Sequence, residues 1–167
     1  LYQNAANFES LKSSIDEFSL QPVDEIWICT TQGEATCASL DKLKEWLALL
    51  SPSVIARIWQ AEKTQNLATQ AECQHVQELI LRTTLAAHHY SNGGQVLLSL
   101  AGGRKTMSAD MQWAAGVFGC NALLHVIGVD YRDMPEEMRA AKPEIFTKPL
   151  DKASAESITP MITGSMQ

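Results

Sequence analysis

Apolar positions recur along much of the chain with the spacing of an α-helix. Phe8, Leu11 and Ile15, for example, lie three to four residues apart, so one side of a helix would be apolar and the other polar. Stripes of this kind predict four long helices, at residues 3–18, 40–50, 68–90 and 107–118.

Between these helices lie short runs in which most residues are apolar, at residues 26–29, 54–59, 96–100 and 122–129. Such runs are typical of strands that are covered on both faces. Strands that alternate with helices predict an α/β fold, a Rossmann-like parallel sheet flanked by helices on both faces. Because the pattern opens with a helix, we expect a first strand upstream that is missing from this chain.

The pattern changes after Asp130, where the chain becomes polar and is interrupted by prolines. It predicts a short helix near 135–141 and an edge strand at 145–146. We therefore expect one domain over residues 1–150 and a loose tail or small docking segment over 151–167.

Composition narrows the class of protein. The chain has 167 residues, 46% hydrophobic and 19% charged, which is typical of one globular domain. Its apolar runs are too short to span a bilayer, so we expect no membrane contact from these residues. A formal net charge of −6 argues against double-stranded nucleic acid as a partner. Four cysteines without C-x-x-C spacing fit a reducing cytoplasm, and we expect no metal and no cofactor.

One strand-to-helix turn carries candidate chemistry, the segment from Ala101 to Lys105. Gly102 and Gly103 allow the backbone to approach a ligand closely, and the following helix directs its free N–H groups to the same place. Arg104 and Lys105 add positive charge. The pattern predicts a site for a phosphate-rich nucleotide, and the alternative is a tight turn with solvated basic residues.

The turn lacks two well-known nucleotide motifs. It does not contain the G-x-x-x-x-G-K-[ST] pattern of a P-loop or the G-x-G-x-x-G pattern of a dinucleotide site. Asp130 follows the next apolar run, so a dinucleotide-binding domain stays open as an alternative.

At this point the residues resemble a family. The run 98–108, which includes GGRKTMS, and the later run 124–127 resemble the second signature region of CRISPR-associated Rossmann-fold (CARF) domains. The run 28–33 is similar to the second strand and loop of that family. The closest branch includes ring nucleases, which cleave cyclic oligoadenylates.

The resemblance implies a homodimer that binds a cyclic oligoadenylate, with cyclic tetra-adenylate favoured. A two-fold symmetric ring suits an interface that presents each recognition loop twice. The loop at Thr30 is expected beside the glycine turn. The ligand-binding residues are then Gly102, Gly103, Arg104, Lys105, Thr106, Met107, Ser108, Thr30, Thr31 and Gln32.

Catalysis and sensing both remain open. Lys105 matches the motif lysine that stabilises charge in metal-independent ring cleavage, and Arg104 stands beside it, so both are candidate catalytic residues. The alternative is a non-catalytic sensor that controls a fused or partner effector.

Other polar and aromatic residues favour structural roles. His125 lies in the most apolar run, so we expect a hydrogen-bonded core histidine. Trp27, Trp59 and Trp113 are expected to pack helices onto the sheet, with adenine stacking as the alternative for one of them.

Overall fold

Helices and strands alternate along the chain in the computed structural model, which describes residues 8–139, 142–148 and 150–166. The helices are α1 (Phe8–Glu17), α2 (Glu34–Leu50), α3 (Gln70–Ser91), α4 (Lys105–Phe118), α5 (Glu136–Arg139), a 3-10 helix (Pro143–Thr147) and α6 (Lys152–Glu156). The strands are β1 (Glu25–Thr31), β2 (Ile55–Ala61), β3 (Leu97–Ser99), β4 (Cys120–Gly128) and β5 (Ile158–Met166).

The described strands form two sheets. One contains β1 and β2 in parallel, with Ile28 opposite Ile58. The other has the order β3-β4-β5, in which β3 and β4 are parallel and β5 is antiparallel to β4. Parallel neighbours need a crossover connection, and α2 and α4 provide it in the two sheets. The predicted α/β fold is confirmed, although the second sheet is mixed rather than wholly parallel.

Helices α3 and α4 pack against each other and against both sheets. Val76 and Ile80 on α3 are each 1% exposed and pack with Ala114 on α4 and Ala61 on β2. Met111 on α4 also contacts the core around β3 and β4. Because these residues are so well packed, Ile80→Ala would cost about 2–5 kcal/mol of folding free energy.

A capping box orders the start of α3. Thr69 Oγ1 accepts the backbone N–H of Glu72 at 3.2 Å, and the Glu72 carboxylate accepts the backbone N–H of Thr69 at 3.2 Å. The same carboxylate accepts the N–H groups of Gln65 and Ala68, each at 2.9 Å. These bonds favour the ionised form and lower the pKa of Glu72 to about 2.

The edge strand predicted at 145–146 is wrong. Pro143 begins the 3-10 helix there, since proline fits the first turn of a helix. Phe146 is 8% exposed, and its ring centroid lies 5.4 Å from that of Trp46 on α2. Phe146 therefore anchors the 3-10 helix against α2.

The segment from Asp151, treated above as a loose tail, is part of the fold. Asp151 caps α6 by accepting the N–H of Ser154 at 3.1 Å, and β5 then pairs with β4. Pro160 and the polar residues of β5 hide its strand character, but an edge strand tolerates them. Parts of the predicted helices, residues 3–7 and 140–141, lie outside the described residues.

Within the described ranges, no helix combines the length and apolar character needed to cross a bilayer.

Candidate anion-binding site

The turn between β3 and α4 needs its two glycines. Gly102 has φ 85° and Gly103 has φ 73°, a left-handed conformation that costs other residues free energy. A Cβ on Gly103 would also lie 2.9 Å from Met107 Sδ. The glycines predicted from the sequence are therefore required by the backbone at this point.

The N-terminus of α4 presents positive charge to the space above the turn. Arg104 is the N-cap residue and its side chain caps nothing, while the first turn of α4 contains no acidic residue. The backbone N–H groups of Lys105 and Thr106 have no hydrogen-bond partner among the described residues. Free N–H groups and the helix dipole both favour an anion here.

Hydrogen bonds to β3, β4 and α4 fix the conformation of this turn. Ser108 Oγ donates to the carbonyl oxygen of Leu100 at 2.9 Å, and Ser99 Oγ accepts the N–H of Ala101 at 3.2 Å. The N–H of Leu100 donates to the carbonyl oxygen of Leu124 on β4 at 2.8 Å. The turn is thus tied to β3, β4 and α4, which makes its N–H groups a pre-organised surface.

A cavity of about 320 Å³ lies between the carboxyl ends of β1 and β3. Its volume is at the lower end of the range for small-molecule sites. The residues that line it come from β1, β3, the glycine turn, the loop before α3 and three helices: Ile28, Cys29, Thr30, Thr31, Thr36, Leu67, Ile80, Ser99, Ala101, Gly102, Gly103, Arg104, Met107, Ser108 and Met111.

Seven of the ten predicted ligand-binding residues line this cavity. They are Thr30, Thr31, Gly102, Gly103, Arg104, Met107 and Ser108. Met107 also packs in the core beside α3, so much of its side chain is structural. Two strand ends that are distant in sequence thus meet at one edge, as expected for parallel strands.

Three predicted residues lie outside the lining. The side chains of Lys105 and Thr106 are exposed and do not border the cavity. Gln32 is hydrogen-bonded to the segment after β2. Its Oε1 accepts the backbone N–H of Lys63 at 3.1 Å, and its backbone N–H donates to the carbonyl oxygen of Thr64 at 2.7 Å.

A comparison with protein families gives a match that spans most of the chain. Residues 13–159 match the family model described as CRISPR-associated protein NE0113. The chain belongs to this CRISPR-associated family. A comparison with curated proteins finds no match.

Two polar residues of the cavity, Thr36 and Ser99, were not predicted from the sequence. Thr36 lies in the first turn of α2, and its Oγ1 is 3.4 Å from Thr31 Oγ1. Ser99 is the last residue of β3. Ser99 lies within the strand predicted at 96–100, and Thr36 lies in the helix that follows the strand predicted at 26–29, so a search limited to the loops between elements could not find them.

The surroundings of the cysteine in the cavity disfavour its thiolate form. Burial raises the pKa of Cys29, outweighing the hydrogen bond with Thr83 that lowers it. The protonated thiol then acts as a small apolar group. Within the described ranges, no group of three or more His, Cys, Asp or Glu residues is arranged to hold a metal ion.

Trp27 and Trp59 lie outside the cavity lining, in a cluster on β1 and β2. Their ring centroids are 5.6 Å apart, and Trp27 Nε1 donates to Glu25 at 2.7 Å. Arg57 donates to the same carboxylate at 2.7 Å. These bonds lower the pKa of Glu25 to about 2, with the Arg57 hydrogen bond the largest cause. Trp27 contacts Tyr90 on α3, with ring centroids 5.5 Å apart, and so has the packing role predicted for it. Trp59 is 41% exposed and Trp113, on α4, is 51% exposed, which does not fit the same prediction for these two residues.

The prediction for His125 fails at its Nδ1 atom. Its Nδ1 is buried and has no hydrogen-bond partner among the described residues. The expected hydrogen-bonded core histidine is wrong at this nitrogen.

Proposed function

We propose that this domain binds a cyclic oligoadenylate, with cyclic tetra-adenylate as the first candidate. The binding would take place in the cytoplasm during type III CRISPR antiviral signalling, and the domain would cleave the ring without a metal ion. The observation that carries the proposal is the Gly102-Gly103 turn, because it leads into a helix N-terminus with two basic residues and no acid in its first turn.

The negative charge of a cyclic oligoadenylate suits the α4 turn and not the surface of the protein as a whole. A net charge of −6 repels polyanions in general, so binding must depend on a local concentration of positive groups. Arg104, Lys105 and the free N–H groups of α4 supply it. In a homodimer each of these groups occurs twice, which matches a ring with two-fold symmetry and four phosphates.

Cleavage requires only the ligand's own hydroxyl as nucleophile. The ribose 2′ oxygen forms a bond to the adjacent phosphorus, and the bond from that phosphorus to the 5′ oxygen breaks. The 2′-hydroxyl loses its proton and the departing 5′ oxygen gains one, so the linear product ends in a 2′,3′-cyclic phosphate. Lys105, with Arg104, would stabilise the negative charge on the non-bridging oxygens of the phosphorane.

A sensor that binds the ring without cleaving it is the second candidate. The exposed side chain of Lys105 lies outside the cavity lining, which favours this alternative. Such a sensor would control a fused or partner effector. The dinucleotide alternative is weaker, because the Asp130 carboxylate is engaged by Arg132 Nε at 3.2 Å and by the Arg132 backbone N–H at 2.9 Å.

The test is incubation of the purified protein with cyclic tetra-adenylate in EDTA, followed by chromatography. Linear products with a 2′,3′-cyclic phosphate establish the ring nuclease, and an intact ring that co-migrates with the protein establishes the sensor. Binding of NAD without any response to cyclic tetra-adenylate overturns both.

Two variants locate the activity. Lys105→Ala should abolish turnover and keep most of the binding if the lysine acts in the transition state. Lys42→Ala removes an exposed lysine of α2 that does not line the cavity, and it should behave like the parent. Equal activity in the parent and in both variants would show that Lys105 is not part of the site.

A further inference from the structure

Two exposed apolar side chains lie at the carboxyl end of β4, the end of the sheet that carries the glycine turn. Ile127 is 49% exposed and Val129 is 43% exposed. The backbone N–H of Val129 donates to the carbonyl oxygen of Ser157 at 3.2 Å, so strand pairing continues through this residue. Residues two positions apart on a strand share a face, and Ile127 and Val129 therefore form one apolar surface, the β4 patch.

The β4 patch lies on the face of the sheet that α4 covers. Leu123, four positions before Ile127, is 4% exposed and belongs to the same buried cluster as Ala115 of α4. Because side chains alternate along a strand, residues 123, 125, 127 and 129 share this face. The exposure of the β4 patch shows that the cover provided by α4 ends before Ile127.

The N-terminus of α4 lies at the level of the β4 patch. Ser108 of α4 donates to the carbonyl oxygen of Leu100, and the N–H of Leu100 donates to the carbonyl oxygen of Leu124 on β4. Arg104 lies one turn before Ser108, about 6 Å further towards the carboxyl ends of the strands. Ile127 lies three residues after Leu124, about 10 Å further in the same direction. The patch is therefore a neighbour of the candidate anion site.

His125 lies between the β4 patch and the part of the strand that α4 covers. Its Nδ1 is the one buried side-chain nitrogen or oxygen atom, among the residues that the structure describes, without a hydrogen-bond partner. A buried polar atom in this state costs free energy and is a sign of a missing partner. In a neutral imidazole one nitrogen donates and the other accepts, so either tautomer can pair with a group that carries both donors and acceptors.

We propose that the β4 patch and His125 form the subsite for one adenine base of the ligand, next to the phosphate held at the N-terminus of α4. The inference rests on the proposed function, because it takes the anion to be part of a nucleotide. A base has apolar faces and a polar edge, so it matches two aliphatic side chains beside an imidazole with an unused nitrogen.

The charges beside the β4 patch agree with a neutral base rather than a second phosphate. Ile127 and Val129 are uncharged, and Asp130, the next residue, accepts a hydrogen bond from Arg132 Nε at 3.2 Å. The pair balances its own charge, so it supplies no excess of positive charge for an anion.

The test replaces both residues of the β4 patch, Ile127→Ser together with Val129→Ser, and measures the binding of two rings by calorimetry. Cyclic tetra-adenylate and cyclic tetra-uridylate carry the same phosphates and differ in their bases. Val117→Ser is the matched control, because Val117 is 54% exposed in the last turn of α4, away from the glycine turn. The nitrogen NMR resonance of His125 Nδ1 is recorded in the parent with and without cyclic tetra-adenylate.

We expect the parent to bind the adenylate ring at least about tenfold tighter than the uridylate ring, because a purine covers more apolar surface than a uracil. The double variant should lose about tenfold in adenylate affinity and less than about threefold in uridylate affinity, and Val117→Ser should match the parent. The resonance of His125 Nδ1 should move when the adenylate ring binds, since the atom gains a partner.

Three outcomes overturn the subsite while the proposed function stands. They are equal affinities of the parent for the two rings, equal losses for both rings in the double variant, and an adenylate ring that binds without moving the His125 resonance. Binding of neither ring by the parent overturns the proposed function and the subsite with it. If the parent dimerises and the double variant does not, a second copy covers the patch, and the subsite is overturned as well.

Discussion

Two strand-to-helix turns border the cavity, and they differ in charge more than in position. The turn from β1 to α2 has Glu34 in its first helical turn, whereas the turn from β3 to α4 has Arg104 and Lys105 and no acid. Both helices begin at the carboxyl end of a strand, so the helix dipole does not distinguish them. The difference teaches that fixed side-chain charges, and not the helix dipole, would make the α4 turn the better place for the proposed anion. The β1 turn, with Thr30 and Thr31, is suited to neutral parts of a ligand.

The largest change should come from giving α4 the charge of α2. Lys105→Glu replaces an attraction by a repulsion next to the free N–H groups of the turn. We expect the affinity for cyclic tetra-adenylate to fall at least about a hundredfold by calorimetry. Lys42→Glu carries the same charge change on α2 and should alter affinity far less. Comparable losses of affinity in the two variants would mean that the net charge of the protein, and not the position of Lys105, determines binding.

A smaller loss should follow from Gly103→Ala, which tests the shape of the α4 turn rather than its charge. Alanine at φ 73° is strained and its Cβ meets Met107, so we expect stability to fall by about 1–3 kcal/mol. Affinity should fall about tenfold because the N–H groups no longer converge.

Gly116→Ala is the control in the same helix. Gly116 lies inside α4 with nothing within 4 Å of an added Cβ, and alanine there should raise stability by about 0.5–1 kcal/mol. Thermal and urea unfolding compare the two variants. If Gly103→Ala behaves like Gly116→Ala, the strain assigned to the turn is absent.

A modest gain should follow from Glu34→Gln, which removes the acid from the α2 turn. We expect affinity for cyclic tetra-adenylate to rise about two- to fivefold at low salt, with the gain disappearing at high salt. A gain that persists at high salt would point to a packing change and not to charge.

The smallest effect on the ligand should come from Glu72→Gln, at the loop that follows β2. At pH 7 the variant should unfold a few degrees below the parent, since the ionised carboxylate holds several N–H groups. The folded pKa of about 2 lies below the ordinary value of 4.5, so this stabilisation is complete above pH 4.5 and is lost as pH falls towards 2. The melting temperatures of parent and variant should therefore converge over that range, with ligand affinity at pH 7 changed less than about twofold. Parallel curves would contradict the assignment.

The long periodic elements were predictable from the sequence. Helices α3 and α4 and strands β1, β2 and β4 occur where the apolar spacing predicts them, within a few residues at their ends, whereas α2 begins at Glu34, before the predicted start at residue 40. Their residues are selected by burial on one or both faces, which leaves a period that can be counted. The short helix predicted near 135–141 is observed as α5 (Glu136–Arg139). The 3-10 helix and β5 escaped this reasoning, because Phe146 and β5 depend on partners distant in the chain.

The glycine turn and the charges beside it were determined by the sequence alone, since left-handed backbone and a basic helix N-terminus are local properties of Gly102 to Lys105. Tertiary structure decided which side chains share the cavity with them. It brought Thr36 and Ser99 in and turned Gln32 away towards Lys63. Among the described residues, it also placed one unpaired edge of β1 and one unpaired edge of β3 beside the same cavity. No local pattern encodes such facts, because they depend on how strands far apart in the chain are placed relative to one another.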